Sequence, residues 1–208
     1  MPAIGTLVDS FDDNAVDAVL WVDSYGTYSE TGGRARVACT DGYSAYASAA
    51  AYTLAGSSIY VRVYPPAAGG AATAAYGQVS LLSAVAGTEL GVQVNAVSGV
   101  LRCQSNVGYW DAAAVEVAYD PVAHAYVRVS EAAGSLVWAT SPDGSVWTTR
   151  RTLATPGWVT SSTTVQVRLE AHRDSGTADY AEFDNVNTLP ASPSGYAARK
   201  AGLFLGFF

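Results

Sequence analysis

The sequence predicts an all-β protein, an antiparallel sandwich or barrel, and three observations predict it. Short segments alternate apolar and polar residues with a period of two, the signature of strands with one buried face. Turn residues separate them at intervals of about 8–12 residues. No comparable run carries a period of 3.6. Composition agrees: half of the 208 residues are hydrophobic, 14% are charged, and Gly (20), Tyr (13) and Trp (5) are plentiful. Such a chain can bury one sizeable core and is not disordered.

The segments run in order. "RARVACT" (34–40) sends Ala35, Val37 and Cys39 to one side. "SAYASAAAYTLAG" (44–56) is Ala-rich, but its Ser, Tyr and Thr content predicts strand or irregular structure over helix. "SSIYVRVYPP" sends Tyr60, Arg62 and Tyr64 opposite the apolar side. "GQVSLLS", "LGVQVNA", "GVLRCQS" and "AVEVAYD" follow at strand length, and in "HAYVRVSEA" Tyr126 and Arg128 oppose the valines. "SLVWATS" leads through Pro142-Asp143-Gly144 into a second arm; Pro fixes φ and Gly accepts positive φ, so this is a hairpin. Trp138 and Trp147 lie one on each arm, where an aromatic pair can brace the hairpin from one face. "TTVQVRLEAHRD" points Val165, Val167, Leu169 and Ala171 one way and Gln166, Arg168, Glu170 and His172 the other. "DYAEFDNVNTL" closes the pattern.

From the alternation, Tyr60, Arg62, Tyr126, Arg128, Arg168 and Glu170 form a Tyr-and-Arg wall on one exposed sheet face, the expected carbohydrate-binding surface. Sugars also stack on indoles, so Trp110, Trp138, Trp147 and Trp158 are second candidates, although some of them must fill the core. After Leu189 the alternation stops. Residues 190–208 are expected to form a linker and an apolar tail beyond a domain spanning 1–189. Leu203, Phe204, Leu205, Phe207 and Phe208 are its assembly contact, docking on this body or on a partner, with exchange in a homo-oligomer favoured.

Several function classes are disfavoured. A formal charge of −7 opposes binding to nucleic acid. No apolar run reaches the ~20 residues needed to span a bilayer. The opening "MPAIGTLVDSFDD" lacks a basic segment followed by an apolar one, so no secretory signal is expected. A single Lys and two Ile beside abundant Ala, Val, Gly and Arg predict a GC-rich coding sequence. Cys39 and Cys103 both face the core, and free thiols are favoured over a bridge because facing sheets stand ~10 Å apart. Two Cys and two His without ligand spacing set zinc aside, and no cofactor or metal is expected. Asp9, Asp12, Asp13 and Asp184 could meet around calcium, but turn and edge roles are favoured.

Three stretches carry a resemblance: "LVDSFDDN", "AYVRVSEAAGSLVWATSPDGSVWT" and "AEFDNVNTL", which together cover most of residues 7–189. They resemble the concanavalin A-like lectin/glucanase superfamily in its laminin G-like form. The resemblance implies a jelly-roll whose first and last strands lie side by side, often with a concave face for glycans. Domains like this also look like those in minor tail and other virion proteins of phages that infect GC-rich actinobacteria. Glucanases of the superfamily carry Glu-x-Asp-x-x-Glu on one strand, whereas here Glu182 and Asp184 are followed by Asn187. Glu182 then reads as a solvated edge carboxylate, and His124 and His172 as surface residues of strands. The expectation is a virion structural protein without enzymatic activity, partnered by copies of itself, other virion proteins and cell-surface glycans. The alternative is a carbohydrate-binding module of a bacterial extracellular enzyme.

Overall fold

A computed structural model describes residues 1–190. Period-two alternation becomes two antiparallel sheets packed face to face. The first sheet has seven strands, in the spatial order β1 (Tyr28–Glu30), β2 (Ala35–Cys39), β13 (Asp179–Asp184), β4 (Ser58–Tyr64), β9 (Tyr126–Ala132), β10 (Ser135–Ser141) and β11 (Thr148–Ala154). The second has six, in the order β3 (Ser44–Ala47), β12 (Gln166–Arg173), β5 (Ala75–Leu82), β6 (Glu89–Asn95), β7 (Val100–Asn106) and β8 (Val115–Ala118). One short helix, α1 (Gly157–Ser161), and a 3-10 turn at Ile4–Thr6 complete the elements of the described residues. None of these helices is long and apolar enough to cross a membrane. The Ala-rich segment contributes β3 and is otherwise irregular.

The core lies between the sheets. Ile59, Val61 and Val63 of β4, Val127 and Val129 of β9 and Phe183 of β13 meet Val79 and Leu81 of β5, Val92 and Val94 of β6 and Val167 and Leu169 of β12. Each such side chain contributes about 1.5–3 kcal/mol by leaving water. Before β1, Ile4, Leu7 and Phe11 are fully buried, and Asp9 forms a β-bridge with Val186 beyond β13. Cys39 and Cys103 are buried, free and on different sheets. Burial pushes the Cys103 thiol up to about 12.

The hairpin forms as expected, but the aromatic brace across it needs correcting. Trp138 and Trp147 do not share a face. Trp138 is fully buried, and its Nε1 donates to Gly91 O of the opposite sheet at 3.1 Å. Trp147 lies outside, tilted against Tyr60 with ring centroids 5.8 Å apart and with the Arg128 guanidinium 4.3 Å from its ring centre. The β10–β11 register shifts between Trp138 and Ala139, which breaks the count across the arms.

Glu182 is not a solvated edge carboxylate. β13 is flanked by β2 and β4, and Glu182 accepts from Arg34 and Arg36, each at 2.7 Å. His124 is buried in the turn before β9, where its Nδ1 accepts from Asp120 N. The proposed assembly residues Leu203, Phe204, Leu205, Phe207 and Phe208 lie outside the described residues.

Candidate functional site

The outer face of the six-stranded sheet carries a groove of about 900 Å³. Its floor is polar because the outward positions of β12, β5, β6 and β7 hold Arg168, Glu170, Gln78, Ser80, Glu89, Gln93, Gln104 and Asn106. Gln78, Ser80, Gln104 and Asn106 are all buried, so this is a depression and not a flat sheet surface. Gly91 sits in that floor, where a Cβ would come within 3.1 Å of the Gln104 amide nitrogen.

Aromatic rings stand at both ends. On the β7 side, Tyr109 and Trp110 remain 76% and 64% exposed, conspicuous for rings that could have been buried. Their position is built: Tyr109 N donates to Gly87 O, and a side chain on Gly87, whose φ is +72°, would strike the Tyr109 ring. The Arg102 guanidinium lies 4.9 Å from the Trp110 ring centre while holding Glu116 at 2.9 Å. On the β12 side, half-exposed Tyr43 stacks on His172 with centroids 4.2 Å apart, and Tyr76 tilts against the same imidazole. Strand spacing puts about 14 Å between β12 and β7, enough for several linked rings.

Two carboxylates lie between the aromatic ends. Glu170 accepts from the Tyr25 hydroxyl at 2.8 Å, and Glu89 accepts from the Gln78 and Asn106 amides. Burial raises both above the ordinary carboxylate range, and the charge of Glu170 raises Glu89 further. Desolvation and the neighbouring Glu170 also push the Tyr25 hydroxyl up to about 12.

The six residues expected on one wall divide between the sheets. Arg168 and Glu170 are on β12 and line the groove. Tyr60 and Arg62 on β4 and Tyr126 and Arg128 on β9 pair across the seven-stranded sheet, on the opposite side of the molecule. Tyr126 is moreover buried, only 2% exposed. Alternation fixes which residues of a strand share a face, but not which sheet the strand joins. Trp110, a second candidate from the sequence, does line the groove, whereas Tyr25, Tyr43, Glu89, Gln78 and Gln93 were not singled out as a site. The available signal was Gln or Asn at outward positions of three successive strands.

Asp9, the first of the proposed calcium ligands, accepts from Phe11 N and from Trp21 Nε1. Among the described residues, no group of three His, Cys, Asp or Glu side chains is placed to hold a metal ion.

No protein-family model and no curated protein matches the sequence. Solved structures do match in fold. A non-specific endo-β-1,3(4)-glucanase of family GH16 superposes with a TM-score of 0.64 at 7% identity, covering 86% of this chain and 88% of that one. The Crh5 transglycosylase gives 0.61 at 12% identity, covering 92% and 88%. The CBM2 module of the evolved Dit of Lactobacillus casei BL23 phage J-1 gives 0.51 at 10% identity, covering 88% and 91%. These likenesses overturn the expectation that the chain is not an enzyme, because glycoside hydrolases and transglycosylases are built on the same frame. The chain has the two-sheet jelly-roll fold found in concanavalin A-like glucanases.

Proposed function

We propose that the protein binds carbohydrate in the groove of the six-stranded sheet. The observation that carries this reading is the pairing of exposed aromatic rings at both ends, Trp110 and Tyr109 at one and Tyr43 at the other, with a buried polar floor between them. Sugar rings present apolar C–H faces to aromatics and hydroxyls to amides and carboxylates, and this face offers both partners. Arg168 and Glu170 belong to the site, while Tyr60, Arg62, Tyr126 and Arg128 face away from it. The glucanase, the transglycosylase and the phage carbohydrate-binding module that share the fold support the reading.

Replacing Trp110 by Ala is expected to weaken retention on a glycan array by about tenfold or more, since a stacked aromatic contributes about 1.5–3 kcal/mol. The melting temperature should stay within about 2 °C, because Trp110 is largely exposed and surface changes cost little. Trp147→Ala, on the opposite face, should leave retention unchanged. Equal retention for Trp110→Ala and wild type would remove the groove from the reading.

We further propose that the protein acts on a phage particle, contacting host cell-surface glycan. The phage module of the same fold supports this, covering nearly the whole of both chains. Mass spectrometry of purified particles is the test, and absence of the chain from particles produced by cells that express it would refute it.

A further inference from the structure

The groove floor is a directed chain of hydrogen bonds. Gln93 Nε2 donates to Gln78 Oε1 at 2.9 Å, Gln78 Nε2 donates to Glu89 Oε1 at 3.2 Å, and Asn106 Nδ2 donates to the same oxygen at 3.1 Å. The amides of Gln78 and Asn106 thus hold one oxygen of Glu89, with Gln93 bracing Gln78 behind them. Four acceptors are left open toward the groove: Glu89 Oε2, Gln93 Oε1, Asn106 Oδ1 and Glu170 Oε1 have no partner among the described residues, and none of the four is sealed from solvent.

Glu89 also lacks a cation among the described residues. No salt bridge reaches it or Glu170 among the described residues. Arg102 is committed to Glu116, Gln104 Oε1 and the Asp111 carbonyl. Arg168 leans on Gln166 and stands 5.4 Å from the Tyr25 ring centre, on the Glu170 side of the groove. A partly buried carboxylate held by two amides, with one oxygen open and no counter-charge in contact among the described residues, is matched by a ligand group that is both cationic and a donor.

We infer that Glu89 Oε2 is an ammonium subsite, so that the groove prefers glycans carrying an unacetylated amino sugar. This rests on the groove being the carbohydrate site, and it adds the chemical class of the ligand. An N-acetyl group at the same place would replace three donors by one and remove the charge. A plain hydroxyl would keep one hydrogen bond to the carboxylate but bring no opposite charge.

Three β-1,4-linked oligomers of equal length, built from glucosamine, N-acetylglucosamine and glucose, test the inference by calorimetric titration of the intact chain. The glucosamine oligomer should bind about tenfold more tightly than either neutral one, as expected for a partly desolvated ion pair against a hydrogen bond with only one charged partner. Glu89→Gln keeps the shape and should erase the preference, bringing the three affinities together. A general pull on cations by a chain of charge −7 changes little when one charge is lost, so collapse of the whole preference identifies the subsite. Equal binding of all three by wild type, or a preference that survives in Glu89→Gln, overturns the subsite and leaves the groove standing. Failure of the wild type to bind any of the three overturns this ligand class together with the subsite; the Trp110→Ala comparison on the array then decides whether the groove reading falls as well.

Discussion

Asp111→Ala should destabilise the fold by about 3–5 kcal/mol, because it leaves a buried guanidinium without its counter-charge. The Arg151 and Asp111 side chains are 6% and 8% exposed, and Arg151 Nη1 meets Asp111 Oδ2 at 2.5 Å. Asp111 also accepts from Ser105 N at 2.7 Å and Ala113 N at 2.9 Å. The same Arg151 nitrogen donates to Cys103 O, and the guanidinium lies 5.0 Å from the Trp138 ring centre, so the pair ties β11 to β7 beside the core. Arg151 and the two backbone donors hold the Asp111 carboxyl below its usual range, against the opposing effect of burial. The sign follows. A depressed folded value contributes stability that is present above 3.8 and lost as pH falls through the folded value. Urea unfolding at neutral pH measures the loss, and one below about 1 kcal/mol would show that the pair is not a tie. The substitution should also weaken glycan retention, since residue 111 anchors the loop that presents Trp110.

Glu30→Gln should act in the other direction and stabilise the protein above neutral pH. Glu30 is buried on β1, and both its oxygens lack hydrogen-bond partners among the described residues. Burial, reinforced by Asp13 and Asp9, pushes its carboxyl up to about 7 from 4.5. Tyr46, whose hydroxyl is equally buried and unpartnered, faces the same group. Here the folded chain holds a proton that the unfolded chain releases, so stability falls as pH rises from 4.5 through about 7. Gln mimics the protonated form and escapes that fall. The variant should match wild type near pH 4 and exceed it at pH 9 by up to about 3 kcal/mol, or about 6 °C or more in melting temperature. Coincident stability curves at pH 9 would contradict the assignment.

Strands could be read from the sequence because their information is local. In β12 the inward Val167, Leu169 and Ala171 and the outward Arg168 and Glu170 follow directly from the pleat. The wall failed at the next level. Tyr60 and Glu170 occupy equivalent outward positions on their own strands, yet β4 pairs with β9 and β13 while β12 pairs with β3 and β5. Those pairings depend on partners up to 148 residues away, such as Ala35 opposite Phe183. The groove was hidden for a related reason. Gln78, Gln93 and Gln104 look like ordinary solvated residues until β5, β6 and β7 lie side by side and the loops holding Tyr25 and Trp110 rise around them. Trp138 and Trp147 were misread because one register shift is enough to turn a side chain from one face to the other.

The insertion of β13 between β2 and β4 also governs how the molecule comes into being. During synthesis the ribosome delivers β2 and β4 long before their common neighbour, and until Asp184 has emerged the seven-stranded sheet is two fragments with open edges that face each other. Those edges expose unpaired amides and carbonyls in a nascent chain that already displays Val61, Val63 and Val37. Closure is a late, long-range event, slow in the manner of folds dominated by non-local pairing. The hazard is greatest in the interval between translation of β4 and arrival of β13, when a second nascent chain could fill the vacant place in the sheet.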